Sequence, residues 1–324
     1  MIKFVIRRIL LMIPVILGVL LIVFLVNRAS GDPVAALLGA NATEEEYQAE
    51  RVRLGLDKPV VVQFFDYVKG IVTHFDLGTS FTSRQSVSAE ILKRMPTTLL
   101  LALLSLLLSS VVGVLFGVIC AVNQNGKLDY IVTLLALIAA SLPNFWFALM
   151  MILVFTVKLN LLPATSLDNW KGWILPSFCM GIGPLSNICR TTRSSMLEVI
   201  RQDYIRSAKS KGISSAKVIF KHALKNAMFP IITVFGLMAS LSIGGSMVIE
   251  SVFTIPGIGS YLITAIGQKD YPVIQGTVVV LSMLVCVINL IVDIAYGFAD
   301  PRIRAGYTGK SKRRNKFKAE EAAV

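Results

Sequence analysis

The chain has 324 residues, 55% of them hydrophobic and only 16% charged, with a formal net charge of +13. That composition is too apolar for an ordinary soluble domain. Its apolar residues also lie in blocks long enough to cross a bilayer, which takes about 20 residues of helix.

The first block, Ile9–Val26, follows Lys3, Arg7 and Arg8 in the manner of a signal peptide. The run is long, however, and no small-x-small cleavage site follows it cleanly before Asn27-Arg28, so a retained span is predicted. Residues 29–95 then read as a small helical segment outside the membrane. Thr43-x-x-Glu46 is a capping box opening a helix that ends near Gly55. Pro59 opens a second helix with Val60, Phe64, Tyr67, Val68 and Ile71 on one face. Asp76-Leu77-Gly78 is turn chemistry, and Ser86–Arg94 predicts a third helix leading into Pro96.

Four more blocks without charge or with few interruptions follow: Thr97–Val122, Tyr130–Val157, Met228–Ile249 and Pro272–Val292. Pro143 inside Tyr130–Val157 predicts a kink; with no charged residue or polar loop beside it, the block reads as one helix. Ile174–Cys189 is a shorter span broken by Pro176, Gly181, Gly183 and Pro184. The expectation is an all-α membrane protein with six spans. Its parts are 1–28 (N-terminus and first span), 29–95 (external segment), 96–306 (transmembrane domain with a loop at 190–227) and 307–324 (a basic disordered tail).

Lys and Arg set the orientation. With the N-terminus inside, the inner segments hold 21 of the 32 basic residues against 7 of the 19 acids, a balance of +14. The outer segments hold 11 basic and 12 acidic residues, so the two sides together give the chain's +13. Both termini are then cytoplasmic, and the basic charge reflects topology without nucleic-acid binding. Cys120, Cys179, Cys189 and Cys286 all sit in or beside spans, which argues against a disulfide framework or zinc site.

Within the inner loop, Met196, Val199, Ile200, Tyr204, Ile205 and Ala208 recur at helical spacing. Gly212 interrupts, and Ser214 or Ser215 can cap a second helix carrying Val218, Ile219, Ala223 and Leu224. Three readings fit this basic elbow: a rigid handle for a soluble partner, an amphipathic helix on anionic lipid, or a solvated loop. For the chain as a whole, the rival class is an ion-coupled transporter or channel. Its spans are nearly bare of charge, with Asp293 the exception near the inner end of the last span. A membrane enzyme finds no support in His74 and His222, which fall on opposite sides. On the pathway side, Asn144 and Trp146 beside Pro143, and Glu250 and Asp270 flanking the turn Thr254–Gly259, are candidates to meet cargo. Each also has a plainer reading, as part of a packed kink or as a solvated loop acid.

Ser207-Ala208, three residues, then Gly212 resembles the EAA-x3-G loop of ABC importer permeases, with Ser207 standing where the motif has Glu. Arg206-x-Ala208-x-x-Lys211-Gly212 followed by His222-Ala223-Leu224-Lys225-Asn226-Ala227 is similar to the variant of the dipeptide, oligopeptide and nickel importer permeases. So are Gly31-Asp32-Pro33, Leu54-Gly55-Leu56-Asp57-x-Pro59, Asp76-Leu77-Gly78-x-Ser80, Glu250-x-Val252-Phe253-x-x-Pro256-Gly257-x-Gly259, Asp270-Tyr271-Pro272-Val273-x-Gln275-Gly276 and the ending Asp300-Pro301-Arg302. The likeness is greatest to the B-type permease and covers about Arg7–Arg304.

The resemblance implies an inner-membrane subunit that pairs with a second, related permease. Two cytoplasmic ATPase subunits would bind ATP and magnesium, and an external binding protein would deliver peptide, nickel chelate or glutathione-like cargo. It assigns ATPase coupling to Tyr204, Ile205, Arg206, Ser207, Ala208, Lys211, Gly212 and Ile213. The sequence contains no Gly-x-x-x-x-Gly-Lys-[Ser/Thr] phosphate loop, so neither catalysis nor a cofactor is expected in this chain.

Overall fold

The computed structural model describes residues 2–29, 31, 33–38, 42–165 and 167–299. The predicted tail at 307–324 and the Asp300-Pro301-Arg302 ending lie outside the described residues. Among the described residues all the regular elements are helices, with one isolated bridge between Thr79 and Ser86.

Helix α1 (Ile2–Ala29) lies at the edge of the bundle against the last helix, to which Arg8 is tied by a 3.1 Å ion pair with Asp293. A short α2 (Pro33–Leu38) leads to α3 (Glu44–Arg53), whose predicted capping box is formed. Thr43 N donates to Glu46 Oε2 at 2.9 Å, and Glu46 N donates to Thr43 Oγ1 at 3.3 Å. Helix α4 (Val60–His74) starts after Pro59 as expected. Ile71 is buried and Phe64, Tyr67 and Val68 are half-buried on its inner face, whereas Val60 in the first turn is exposed. The Phe24 and Phe64 rings meet edge-on at 5.5 Å and dock α4 onto the end of α1.

The helix predicted to stop before Pro96 does not stop. Helix α5 runs 36 residues, Val87–Val122, with Pro96 inside it. Val87, Ile91 and Thr98 are all fully buried, so packing on both sides of the proline holds the helix through the one missing N–H.

The block around Pro143 departs from expectation in the opposite sense. Helices α6 (Lys127–Ser141) and α7 (Asn144–Met151, continued by a π-helical Ile152–Lys158) are bent by 108°, a break and not a kink. Leu142 and Pro143 are both extended, with ψ of 133° and 129°. The residue before a proline is driven out of the helical region, and two extended residues in succession redirect the chain.

Helix α8 (Lys171–Ile200) contains the predicted short span and extends it at both ends. After the elbow, α10 (Ser215–Lys217), a π-helical Val218–Ala223 and α11 (Leu224–Val252) follow without a break. Helix α12 (Ile258–Gln268) had not been anticipated; α13 (Tyr271–Ala299) ends the described chain.

Four helical stretches are long and apolar enough to cross a membrane: Val5–Ala29, Val87–Val122, Ser215–Val252 and Tyr271–Ala295. The bent α6–α7 pair makes a fifth if it counts as one span. Helix α8 is more polar, and it packs among α5, α6, α7 and α11. Its tightest neighbour is α5, where small residues let the backbones meet. A Cβ on Gly117 would lie 2.5 Å from Thr192 Cβ and 2.7 Å from the Cys189 carbonyl. Ser109 Oγ donates to the Gly181 carbonyl at 2.8 Å. The four cysteines are free thiols, three of them buried.

Candidate functional site

The elbow begins where α8 ends at Ile200 and Gln202 turns extended, allowing α9 (Asp203–Ser210) to start in a new direction. Ile205 N bonds the Gln202 carbonyl at 3.0 Å. Helix α9 then closes with Gly212 at φ +75°, the left-handed conformation that glycine takes without a Cβ clash. Gly212 N donates to the Lys209 carbonyl (3.0 Å) and Ile213 N to the Ala208 carbonyl (3.4 Å), the paired bonds of a Schellman ending. The chain reverses here, and Ser214 occupies the next N-cap position, although its side chain makes no capping bond.

The elbow is bolted to the bundle and does not hang from it. Ile205 is 1% exposed, and it shares a core with Val118 and Ala121 from α5, Met196 from α8, and Val218 and Ala223 from the π segment. Val218 and Ala223 both face inward although five residues apart, because the i→i+5 turn of a π-helix stacks them. Ala208 and Ile213 pack against the same core. Tyr204, Arg206, Ser207, Lys211 and Gly212 face outward, so the eight predicted coupling residues divide into an inner anchor and an outer face. Phe220, 53% exposed beside the exposed Lys221 on the π segment, is a further outward aromatic that no periodic position in the sequence picks out.

An ion pair braces the same end. Arg193 on α8 grips Asp129 on α6 with Nε at 2.6 Å and a second nitrogen at 2.7 Å, and Asn125 N adds a 3.0 Å bond to the carboxylate. The Asp129 side chain is 5% exposed and Arg193 30%. Removing one member of a buried pair strands the other charge. Asp129→Ala is therefore expected to cost about 3 kcal/mol of stability, read as the denaturation midpoint in detergent. The Asp129→Ala/Arg193→Ala double variant should recover part of that loss; a double variant as weak as the sum of the singles would mean that the two side chains do not interact.

The four pathway candidates separate into two kinds. Asn144 and Trp146 are exposed at the start of α7, just past the 108° bend. Glu250 and Asp270 are not solvated loop acids: they are buried, 0% and 2% exposed. Glu250 accepts from Thr98 Oγ1 at 2.8 Å and from Ser260 N at 2.9 Å, joining α5, α11 and the N-terminus of α12. Asp270 accepts from Ser80 Oγ (2.6 Å), Phe81 N (3.1 Å) and Thr82 N (3.1 Å), and so holds the 78–86 loop against the start of α13. Nothing in their sequence spacing distinguished these acids from solvated loop acids, because their partners lie up to 190 residues away. Asp270→Asn keeps the shape but loses the charge-assisted bonds, and it should free the loop at a cost of about 2 kcal/mol. Hydrogen exchange at Phe81 and Thr82 is the check, with faster exchange confined to that loop as the expected result.

Residues 113–305 match the binding-protein-dependent transport system inner membrane component family, and residues 1–102 match the N-terminal unit of such membrane components. The chain belongs to this family. It is 40% identical to a di/tripeptide transport system permease protein of Pseudomonas aeruginosa, over 94% of this chain and 99% of that protein. An oligopeptide transport system permease protein of Bacillus subtilis is 38% identical over 94% and 99%. A glutathione transport system permease protein of Salmonella choleraesuis is 39% identical over the same shares.

Proposed function

We propose that this chain is one of two paired permease subunits of an ATP-driven importer, and that its cargo is short peptides. The observation that carries the cargo is the end-to-end similarity to permeases named for di-, tri- and oligopeptides. Glutathione, the cargo named for a third relative, is itself a small peptide. In this reading the chain lies in the inner membrane with six spans, α6 and α7 together supplying one and α8 another. Both termini and the elbow are cytoplasmic, as the concentration of Lys and Arg on that side supports.

Two ATPase subunits, binding ATP and magnesium, dock on the outer face of the elbow at Tyr204, Arg206, Ser207, Lys211 and Gly212. The inner residues Ile205, Ala208 and Ile213 carry the motion into α5, α8 and α11. A push on α9 then moves the ends of three helices together, because α9 shares one core with them. A second related permease completes the pathway, to which Asn144 and Trp146 contribute, and an external binding protein delivers the peptide. Glu250 and Asp270 serve that pathway as braces of the outer end, not as ligands of cargo.

The test is to isolate the tagged chain gently from its native membrane and compare wild type with Gly212→Pro. Proline cannot adopt φ +75° and would also remove the N–H bonded to Lys209. ATPase subunits and a second permease are expected with wild type, and the ATPases should be lost from the variant. Peptide uptake by cells lacking the native subunit should fall in parallel. A stable preparation in which no ATPase ever appears would overturn the reading.

A further inference from the structure

At the end of the bundle opposite the elbow, a cavity of about 750 Å³ opens between the end of α1, helices α3 and α4, the 77–84 loop and the start of α13. None of the coupling or pathway residues lines it. Four arginines do, Arg28, Arg51, Arg53 and Arg84, and among the described residues no carboxylate does. Arg53 is neutralised by Glu50, with Nε 2.6 Å from its carboxylate. Among the described residues Arg28 donates only to the uncharged Gln63, at 2.9 Å. Among the described residues, no carboxylate lies within ion-pair distance of Arg28, Arg51 or Arg84. Three guanidinium groups without an ion-pair partner among the described residues therefore border one concavity, with Glu50 the nearby carboxylate whose charge Arg84 feels, and such an arrangement draws in and binds an anion.

Two further groups on the cavity wall point the same way. The Tyr67 hydroxyl and the Gln275 side-chain nitrogen are both shielded from solvent, and both lack a hydrogen-bond partner among the described residues. Each is a donor, and buried donors are ordinarily satisfied. An oxyanion with several lone pairs can accept from them and from the arginines at once. Chloride, a single point acceptor, matches planar guanidinium forks less well than phosphate does.

We propose that this cavity binds a phosphate-class oxyanion, either the headgroup of an anionic phospholipid or a soluble phosphate. The surroundings favour the lipid. On α4, Val61, Phe65 and Val72 form an exposed apolar stripe, and Phe24 and Leu54 add apolar wall to the cavity itself. An amphipathic helix with such a stripe lies at a membrane surface, at the depth of the headgroups. The site does not depend on the coupling role of the elbow, so loss of one leaves the other standing.

The full-length chain, with the subunits it carries, would be placed in nanodiscs of phosphatidylglycerol or of phosphatidylcholine and examined by native mass spectrometry after delipidation. Wild type should retain phosphatidylglycerol, and Arg51→Gln/Arg84→Gln should retain about tenfold less or lower still. Both arginines are exposed at the cavity rim, so the ligand-free melting temperature should not change. Tyr67→Phe, which deletes one hydroxyl, should weaken retention more mildly. Lys69→Gln, an exposed cation on α4 outside the cavity, should change nothing. If phosphatidylglycerol is not retained but inorganic phosphate raises the melting temperature of wild type and not of the double variant, the ligand is a soluble phosphate. Retention of neither, or an equal loss in Lys69→Gln, overturns the site.

Discussion

Ile205→Asp is expected to leave this protein in the membrane at its normal level while abolishing transport. Ile205 is 1% exposed and fills the junction of α9 with α5, α8 and the π segment. Its burial contributes about 2 kcal/mol, and a carboxylate left there without a partner costs several kcal/mol more. The cheapest response is local. Helix α9 is eight residues long with Ile205 as its one buried residue, so it can detach without opening the bundle. Peptide uptake should then fall more than about tenfold, and the ATPase subunits should no longer co-purify. The conservative Ile205→Val should lose about 1 kcal/mol and retain most activity. Full uptake by Ile205→Asp would show that the elbow transmits nothing, whatever binds to it.

Gly117→Val should have the opposite signature, a chain that does not accumulate. A side chain at Gly117 meets Thr192 Cβ and the Cys189 carbonyl, and the latter is backbone that cannot rotate away. Forcing α5 from α8 breaks the most extensive helix contact among the described residues and pulls Ser109 from the Gly181 carbonyl. Overpacking commonly costs about 1–3 kcal/mol, and a clash with backbone on two long helices lies at or above the top of that range. Without a strong hydrophobic drive between helices inside lipid, close packing is what holds them together, so little remains to compensate. Membrane abundance by immunoblot is the check, with a drop of severalfold expected. Gly183→Ala on the same helix, where nothing lies within 4 Å, is the matched control and should be silent.

Local features of this fold were legible in the chain because their causes are local. The Thr43–Glu46 box, the start of α4 after Pro59, the reversal at Gly212 and the apolar runs each depend on neighbours a few residues away. Where the reading failed, a distant partner or a backbone choice had decided. Pro96 looked like a stop because the buried Ile91 and Thr98 on either side of it could not be known. Pro143 looked like a kink because a second extended residue beside it cannot be read from an apolar run. Helix α12 was overlooked although Ile258, Leu262 and Ala265, all buried, recur at helical spacing after Gly257.

Sequence alone determined that this is a helical membrane protein and where the elbow turns, since hydropathy and glycine conformation are properties of short stretches. Only the tertiary structure decided what the charged and small residues do. Asp129 meets Arg193 across 64 residues, Asp270 meets Ser80 across 190, and Glu250 meets Thr98 across 152. Burial makes each of those acids a brace, and burial is created only when distant helices come together. The same assembly divides the elbow into Ile205 turned inward and Tyr204 turned outward, neighbours in the chain whose difference comes from the surfaces they face.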